Sequence, residues 1–258
     1  MQKVLVFTDI HIATPGEAII GLDPLARFGA ALDHALVRHP DAVQIVITGD
    51  LTHHGRPDQY ARLRATLANC PVPVALTLGN HDHRATFRAA FAEAPTDPAG
   101  FVQQAVDLPG HRLILLDTLD ETAETKHSGI QCNTRLDWLS TTLRAAPDVP
   151  TVLFLHHPPM ITGFDGMDRI GLRNRDDLSA ILRLHKQVRQ IIAGHVHRTI
   201  HGSIAGVPIA ILNSPCHQMP MVLGSGDVHL SVDEPGAYGI VLLGQDSIIV
   251  HTEDVGPG

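Results

Sequence analysis

The segment T-L-G-N-H-D-H-R at residues 77–84 sets an amide, two imidazoles and a carboxylate (Asn80, His81, Asp82, His83) directly behind the apolar run 74–78, V-A-L-T-L. A solvated turn has no need of so many ligand-capable groups. The same juxtaposition recurs at four other places. The run 4–7 (V-L-V-F) is followed by T-D-I-H, with Asp9 and His11; the run 43–47 (V-Q-I-V-I) is followed by T-G-D, with Asp50. The run 152–155 (V-L-F-L) leads into H-H-P-P, with His156 and His157, and the run 188–193 (V-R-Q-I-I-A) leads into G-H-V-H, with His195 and His197.

Between these β-rich runs and a further one at 113–116 (L-I-L-L), apolar residues recur at helical spacing: Leu25, Phe28, Leu32 and Leu36; Tyr60, Leu63 and Leu67; Phe87 and Phe91; Leu136, Leu139 and Leu143. Alternating strand and helix patterns specify an α/β protein whose helices cover sheet faces. In such a sheet the carboxyl ends of the strands face one crevice, so the polar groups behind the runs are expected to converge there. Asp23-Pro24 reads as an N-cap followed by Pro in the first helical turn, and Thr134 with Asp137 as a loose capping box. After Gly194 only strand patterns remain, at 207–212, 238–243 and 248–250, which predicts a β-rich C-terminal part. The long connection 158–174 is expected to face the substrate, with Phe164, Met167 and Arg169 as candidates for a leaving-group pocket.

The donors are spaced for coordination. Asp9 with His11, and His195 with His197, are i and i+2 pairs that would point to one side of an extended segment. Gly49, Gly79 and Gly194 stand just before Asp50, Asn80 and His195, suiting turns with φ > 0. Asp9, His11, Asp50, Asn80, His156, His195 and His197 exceed what one ion needs, since zinc takes about four ligands, so two ions sharing a bridging carboxylate are expected. Imidazole, carboxylate and amide donors without thiolate favour iron, manganese, zinc or cobalt over Cu(I) or an iron–sulfur centre.

Composition narrows the function classes. The chain has 258 residues, 44% of them hydrophobic, enough for a large core. Its net charge of -8 excludes a protein that tracks along a nucleic-acid polymer, which needs a basic face. There are 18 His against 19 Lys plus Arg, an excess that suits metal binding or near-neutral proton transfer. Three scattered cysteines suggest neither a disulfide framework nor a thiolate site. No apolar stretch approaches the roughly 20 residues of a membrane span. The first strand pattern runs straight into Asp9 and His11 rather than into a cleavage site, so a cytoplasmic location is expected.

In this order and at these separations, D-x-H, G-D, G-N-H-D, H-H-P-P and G-H-V-H resemble the calcineurin-like metallophosphoesterases, over about three quarters of the chain from Asp9 to His197. G-R-P-D-Q-Y (55–60), M-D-R-I-G-L-R-N (167–174) and S-P-C-H-Q-M-P (214–220) are similar to the glycerophosphodiesterase and class III cyclic nucleotide phosphodiesterase subgroup. The resemblance implies a four-layer α/β/β/α sandwich with a β-rich C-terminal part. It implies a single domain, residues 1–258, with a metal-binding α/β core at 1–205 and second-sheet and C-terminal strands at 206–258. It also implies one metal on Asp9, His11, Asp50 and His197, and another on Asp50, Asn80, His156 and His195, bridged by Asp50.

His81 would stand beside the leaving group as the catalytic imidazole, with Asn80, His81 and His217 contacting substrate. Asp82 is expected to orient His81 or brace its loop, and His83 and His157 to be structural. His53 occupies a position where relatives often carry Asp or Asn. The expected reaction is hydrolysis of a small phosphodiester, of the cyclic nucleotide or glycerophosphodiester class, by a metal-bound hydroxide. A phosphomonoesterase, phosphoprotein phosphatase or phosphonate monoester hydrolase with the same centre is the alternative, and a non-catalytic scaffold the remote one. A dimer or larger homo-oligomer is also expected.

Overall fold

The computed structural model describes residues 1–256; residues 257 and 258 of the expected C-terminal part lie outside the described residues. Two sheets form the middle of the molecule. The first has the order β11-β10-β1-β2-β3, from β1 (Gln2–Phe7), β2 (Gln44–Thr48), β3 (Val74–Thr77), β10 (Gly236–Leu243) and β11 (Ile248–Val255). The second has the order β4-β5-β6-β7-β9-β8, from β4 (Gln104–Leu108), β5 (His111–Leu116), β6 (Thr151–Leu155), β7 (Val188–Ala193), β8 (Ile200–Ile204) and β9 (Val207–Ile211). The strands that carry the motifs run parallel to their neighbours of the same set, β1 with β2, β2 with β3, and β6 with β7.

The central strands are continuously apolar because both of their faces are buried. On β1, Val4 and Val6 point into a layer between the sheets shared with Val46, Leu113, Leu115, Val152, Phe154 and Ile192. Leu5 and Phe7 point the other way, onto Phe28 and Leu32 of α1 (Pro24–Arg38) and Tyr60 and Leu63 of α2 (Pro57–Leu67), with Phe87 of α3 (Arg84–Ala90) in the same layer. The second sheet turns Leu153, Leu155 and Ile191 outward onto Leu139 and Leu143 of α4 (Asn133–Arg144) and Leu178 and Leu182 of α6 (Arg175–Leu184). The result is helix, sheet, sheet, helix in four layers. Each fully buried aliphatic or Phe side chain contributes about 1.5–3 kcal/mol.

Asp23 caps α1 as expected, its Oδ1 accepting from the N–H groups of Leu25 at 2.9 Å and Ala26 at 3.2 Å. The Thr134–Asp137 box is not formed: α4 starts at Asn133 behind Cys132, and no side chain caps it. The strand-only tail divides between the sheets, β8 and β9 closing one edge of the second and β10 and β11 one edge of the first. Four elements have no counterpart among the sequence expectations: β4, β8, the short α5 (Asp165–Arg169) and α6. Among the described residues no helix is long and apolar enough to cross a membrane.

Candidate metal centre

Both sheets present their strand ends at one crevice. β1 delivers Asp9 and His11, β2 delivers Asp50, and β3 delivers Asn80 and His81; β6 delivers His156, and β7 delivers His195 and His197. Asp9, His11, Asp50, His156 and His195 are buried, and Asn80 and His197 half-buried. His197 Nε2 lies 3.2 Å from Asp9 Oδ1, and His156 Nε2 lies 3.3 Å from Asp50 Oδ2 and 3.1 Å from Asn80 Oδ1. His11 Nε2 faces His197 Nε2 at 3.1 Å and Asp50 Oδ2 at 3.6 Å. Asp9, His11, Asp50 and His197 each offer one donor atom within 4.8 Å of the others, a spacing that one cation can bridge. His195 packs beside His156, ring centroids 5.1 Å apart.

The local backbone differs from the extended geometry read from the i, i+2 spacing. Asp9, His11, Asp50, His195 and His197 all have left-handed φ, at 54°, 46°, 46°, 72° and 52°. Their side chains converge through tight turns, not through strand alternation. Left-handed φ costs a non-glycine residue about 1–3 kcal/mol and persists where surrounding structure imposes it. Here the strand-end loops are stitched together: Asp9 N–H donates to Gly49 O at 3.1 Å, and His11 N–H to Asp50 O at 2.9 Å.

Of the three glycines, only Gly49 has the expected positive φ, +101°. Gly79 and Gly194 are required for space instead, since a Cβ on Gly79 would collide with Asp50 Oδ1 and one on Gly194 with Thr8 Oγ1.

The donor chemistry fits divalent ions. His156 Nδ1 is 3.1 Å from Thr48 O, His197 Nδ1 2.9 Å from His217 O, and His81 Nδ1 2.8 Å from His53 O. A carbonyl only accepts, so each Nδ1 carries a proton and Nε2 is the nitrogen turned toward the crevice. Nε2 of His195 is buried with no hydrogen-bond partner among the described residues. Among the described residues no Lys or Arg lines the crevice, so two buried carboxylates stand without a permanent cation.

The electrostatics reflect that demand for positive charge. Burial would raise the Asp50 carboxyl, but His156 and His81 outweigh it and hold it well below its ordinary range; His197 and His156 do the same, less strongly, for Asp9. Burial pulls His156 down, yet Asp50 and Asp9 push it up to about 9. His11 and His195 are driven well below the usual imidazole range, mainly by burial.

The remaining expected residues divide by what they touch. His81 donates its backbone N–H to Asp50 Oδ1 at 2.8 Å and lines a cavity of about 200 Å³ together with Asn80, His53, His197 and His217. Asp82 is a loop brace and does not orient His81: its carboxylate accepts from the N–H groups of Leu51, Thr52 and Gly79 and from the hydroxyls of Thr52 and Tyr60. His83 caps α3, accepting from Thr86 N–H. His157 is buried between Thr118 Oγ1 at 2.7 Å and the carbonyl of His127 at 3.0 Å.

Of the loop candidates only Met167 reaches the cavity wall; Phe164 is buried in the outer core of the second sheet, and Arg169 donates to Gly226 O. His217 stands in the S-P-C-H-Q-M-P segment, which Ser214 ties to the end of β1 by donating Oγ to Asp9 O at 2.7 Å. Sequence reasoning missed His127. It lines the cavity with φ of 69°, lies 3.0 Å from Asn80 Nδ2 through Nδ1, and stacks on the His81 ring. No motif surrounds it, and only the overall excess of histidine pointed that way.

Three comparisons bear on this geometry. The chain is 37% identical over 251 residues, 97% of its length and 91% of the relative's, to a "probable cyclic nucleotide phosphodiesterase" of Rhodopseudomonas palustris. It is 31% identical to a glycerophosphodiester phosphodiesterase of Enterobacter lignolyticus, over 72% of this chain and 66% of that one. A crystal structure of a dimetal phosphatase from Danio rerio superimposes with a TM-score of 0.75 at 18% identity, covering 98% of both chains, which shows a shared fold. The calcineurin-like phosphoesterase family pattern matches residues 2–199, the span that contains every strand end of the crevice, and the chain therefore belongs to the calcineurin-like phosphoesterases, a family of hydrolases.

Proposed function

We propose that this chain hydrolyses small phosphodiesters, of the cyclic nucleotide or glycerophosphodiester class, at a dinuclear centre. Asp9, His11, Asp50 and His197 would hold one ion, and Asp50, Asn80, His156 and His195 the other, with Asp50 between them. When bound, two divalent ions supply charge neutralisation at the phosphoryl oxygens and acidify water into a nucleophile near neutral pH. The chain's own residues do the rest.

Asn80 directs Oδ1 toward His156 and one N–H toward His127, leaving its second N–H for a phosphoryl oxygen. His81 holds Nδ1 on the His53 carbonyl, so protonation at Nε2 creates a donor for the leaving oxygen. His217 contributes its ring to the wall and its carbonyl to fixing His197. Met167, Ile170, Met219, Val228 and Leu230 form an apolar side of the cavity, a surface for an organic group of the substrate.

One observation carries the choice of a diester: the cavity joins that apolar wall to the donor cluster, and among the described residues no Lys or Arg lines it. A diester brings one negative charge and an organic group on each side of phosphorus, whereas a monoester near neutral pH brings almost two charges and only one such group. The names of the Rhodopseudomonas and Enterobacter relatives support the same reading. Metal-reconstituted protein is expected to turn over bis(p-nitrophenyl) phosphate faster than p-nitrophenyl phosphate. A panel of 2',3'- and 3',5'-cyclic nucleotides, glycerophosphodiesters and phosphonate esters then separates the classes. A strong preference for the monoester would overturn the proposal.

A further inference from the structure

We propose that Glu17, His53 and His54 form an additional cation site at the mouth of the cavity, taking a divalent transition ion of the zinc type through two imidazoles and one carboxylate. Each offers one donor atom, and the three atoms lie within 4.8 Å of one another. His54 Nε2 is 2.7 Å from Glu17 Oε1, and the His53 and His54 rings stand 4.4 Å apart, centroid to centroid. A zinc ion with three protein ligands of nitrogen and oxygen keeps its fourth position open to solvent or an anion.

The donors are held before any ion arrives, which separates them from a chance meeting of surface side chains. Thr14 N–H donates to Glu17 Oε2 at 3.3 Å, and His53 N–H donates to Ile12 O at 3.0 Å. Gln59, fully buried, accepts from His54 N–H at 2.9 Å and donates to Thr14 Oγ1 at 3.3 Å, stitching the two contributing loops together. The 2.7 Å contact between His54 and Glu17 is a hydrogen-bond distance, and an ion would take the place of the proton between them.

The site shares no donor with the seven of the main centre but adjoins it, His53 Nδ1 lying 3.5 Å from His11 Nδ1, and it touches the same cavity. His53 lines the cavity wall, its ring stacks on His81 at 5.4 Å with planes 10° apart, and its carbonyl receives the His81 Nδ1 proton. An ion on His53 therefore adds positive charge at the wall and immobilises the group that orients His81, so filling the site changes the rate of hydrolysis.

The test counts zinc directly, so it does not depend on the substrate assigned above. Chelated protein is equilibrated at a buffered free zinc concentration and bound metal is measured by mass spectrometry. The wild type is expected to hold one zinc more per chain than either Glu17→Gln or His54→Asn. At low free zinc both variants should hydrolyse bis(p-nitrophenyl) phosphate at the wild-type rate, and at high free zinc the wild-type rate alone should change. Equal zinc content in the three proteins would overturn the site, even with hydrolysis intact. Failure of the function proposed above would instead appear as no diester turnover in proteins that still differ by one zinc.

Discussion

Residues 4–7 and residues 9–11 follow each other within one short stretch and are equally buried, yet they are built in opposite ways. The first are aliphatic or aromatic, extended, and paired on both sides, with β10 and with β2. The second include a carboxylate and an imidazole in left-handed backbone. Burial stabilises the first group by about 1.5–3 kcal/mol per side chain. In the second, left-handed φ alone costs about 1–3 kcal/mol per residue. The sheets thus provide stability that the strand ends consume, and the strand ends keep their strained geometry because neighbouring loops over-determine it.

The sharpest break in that contrast is Asp50→Ala, which removes the donor shared by both proposed ligand sets. Metal content and diester turnover are expected to be abolished together while the chelated protein still unfolds cooperatively; a variant that retained its metals would end the bridging role. Leu153→Ala acts on the other side of the contrast. It should lower the unfolding free energy by about 2–5 kcal/mol in urea titrations, with metal content and turnover of the folded fraction unchanged.

His81→Ala is expected to keep the metals and slow turnover by about 10²-fold, and wild-type activity would remove its catalytic role. The smallest effect is on pH dependence. Burial, then His81, lowers His53 from 6.5 to about 4, and burial, then His156, drives His157 well below 6.5. Both rings are neutral in the fold and bind protons more readily once unfolded. The stability they provide is complete above about pH 6.5 and is lost as pH falls toward 4. Urea midpoints of chelated wild type and of His53→Asn at several pH values in that window check it, and equal slopes would show that the His53 ring does not titrate in this way.

Much of this was legible in the sequence because parallel strands buried on both faces leave continuous apolar runs, and a donor directly behind such a run is hard to misplace. Hence Asp9, Asp50 and His195 were located by adjacency alone, and the structure gathers them. What was not legible lacks that signature. β8 is mostly exposed and carries Gly202, whose Cβ would press on Met160 Sδ, so its I-H-G-S-I has no apolar run. β4 alternates half-buried and exposed positions around Asp107, and α6 opens with R-D-D behind a long loop. The left-handed turns at Asp9, His11 and Asp50 escaped for a different reason: φ > 0 is signalled by glycine, and here the ligand-capable residues adopt it themselves. His127 reaches the cavity from a loop with no strand before it, so adjacency could not find it.

The position of β1 has a consequence for biosynthesis. Residues 2–7 emerge from the ribosome long before residues 239–243, which cover one of their two hydrogen-bonding edges. Until those are made, V-L-V-F presents an open apolar edge, the kind of surface on which nascent chains pair with the wrong neighbour. Holdase chaperones that bind short aliphatic segments would therefore have a long engagement with V-L-V-F, lasting until β10 is made.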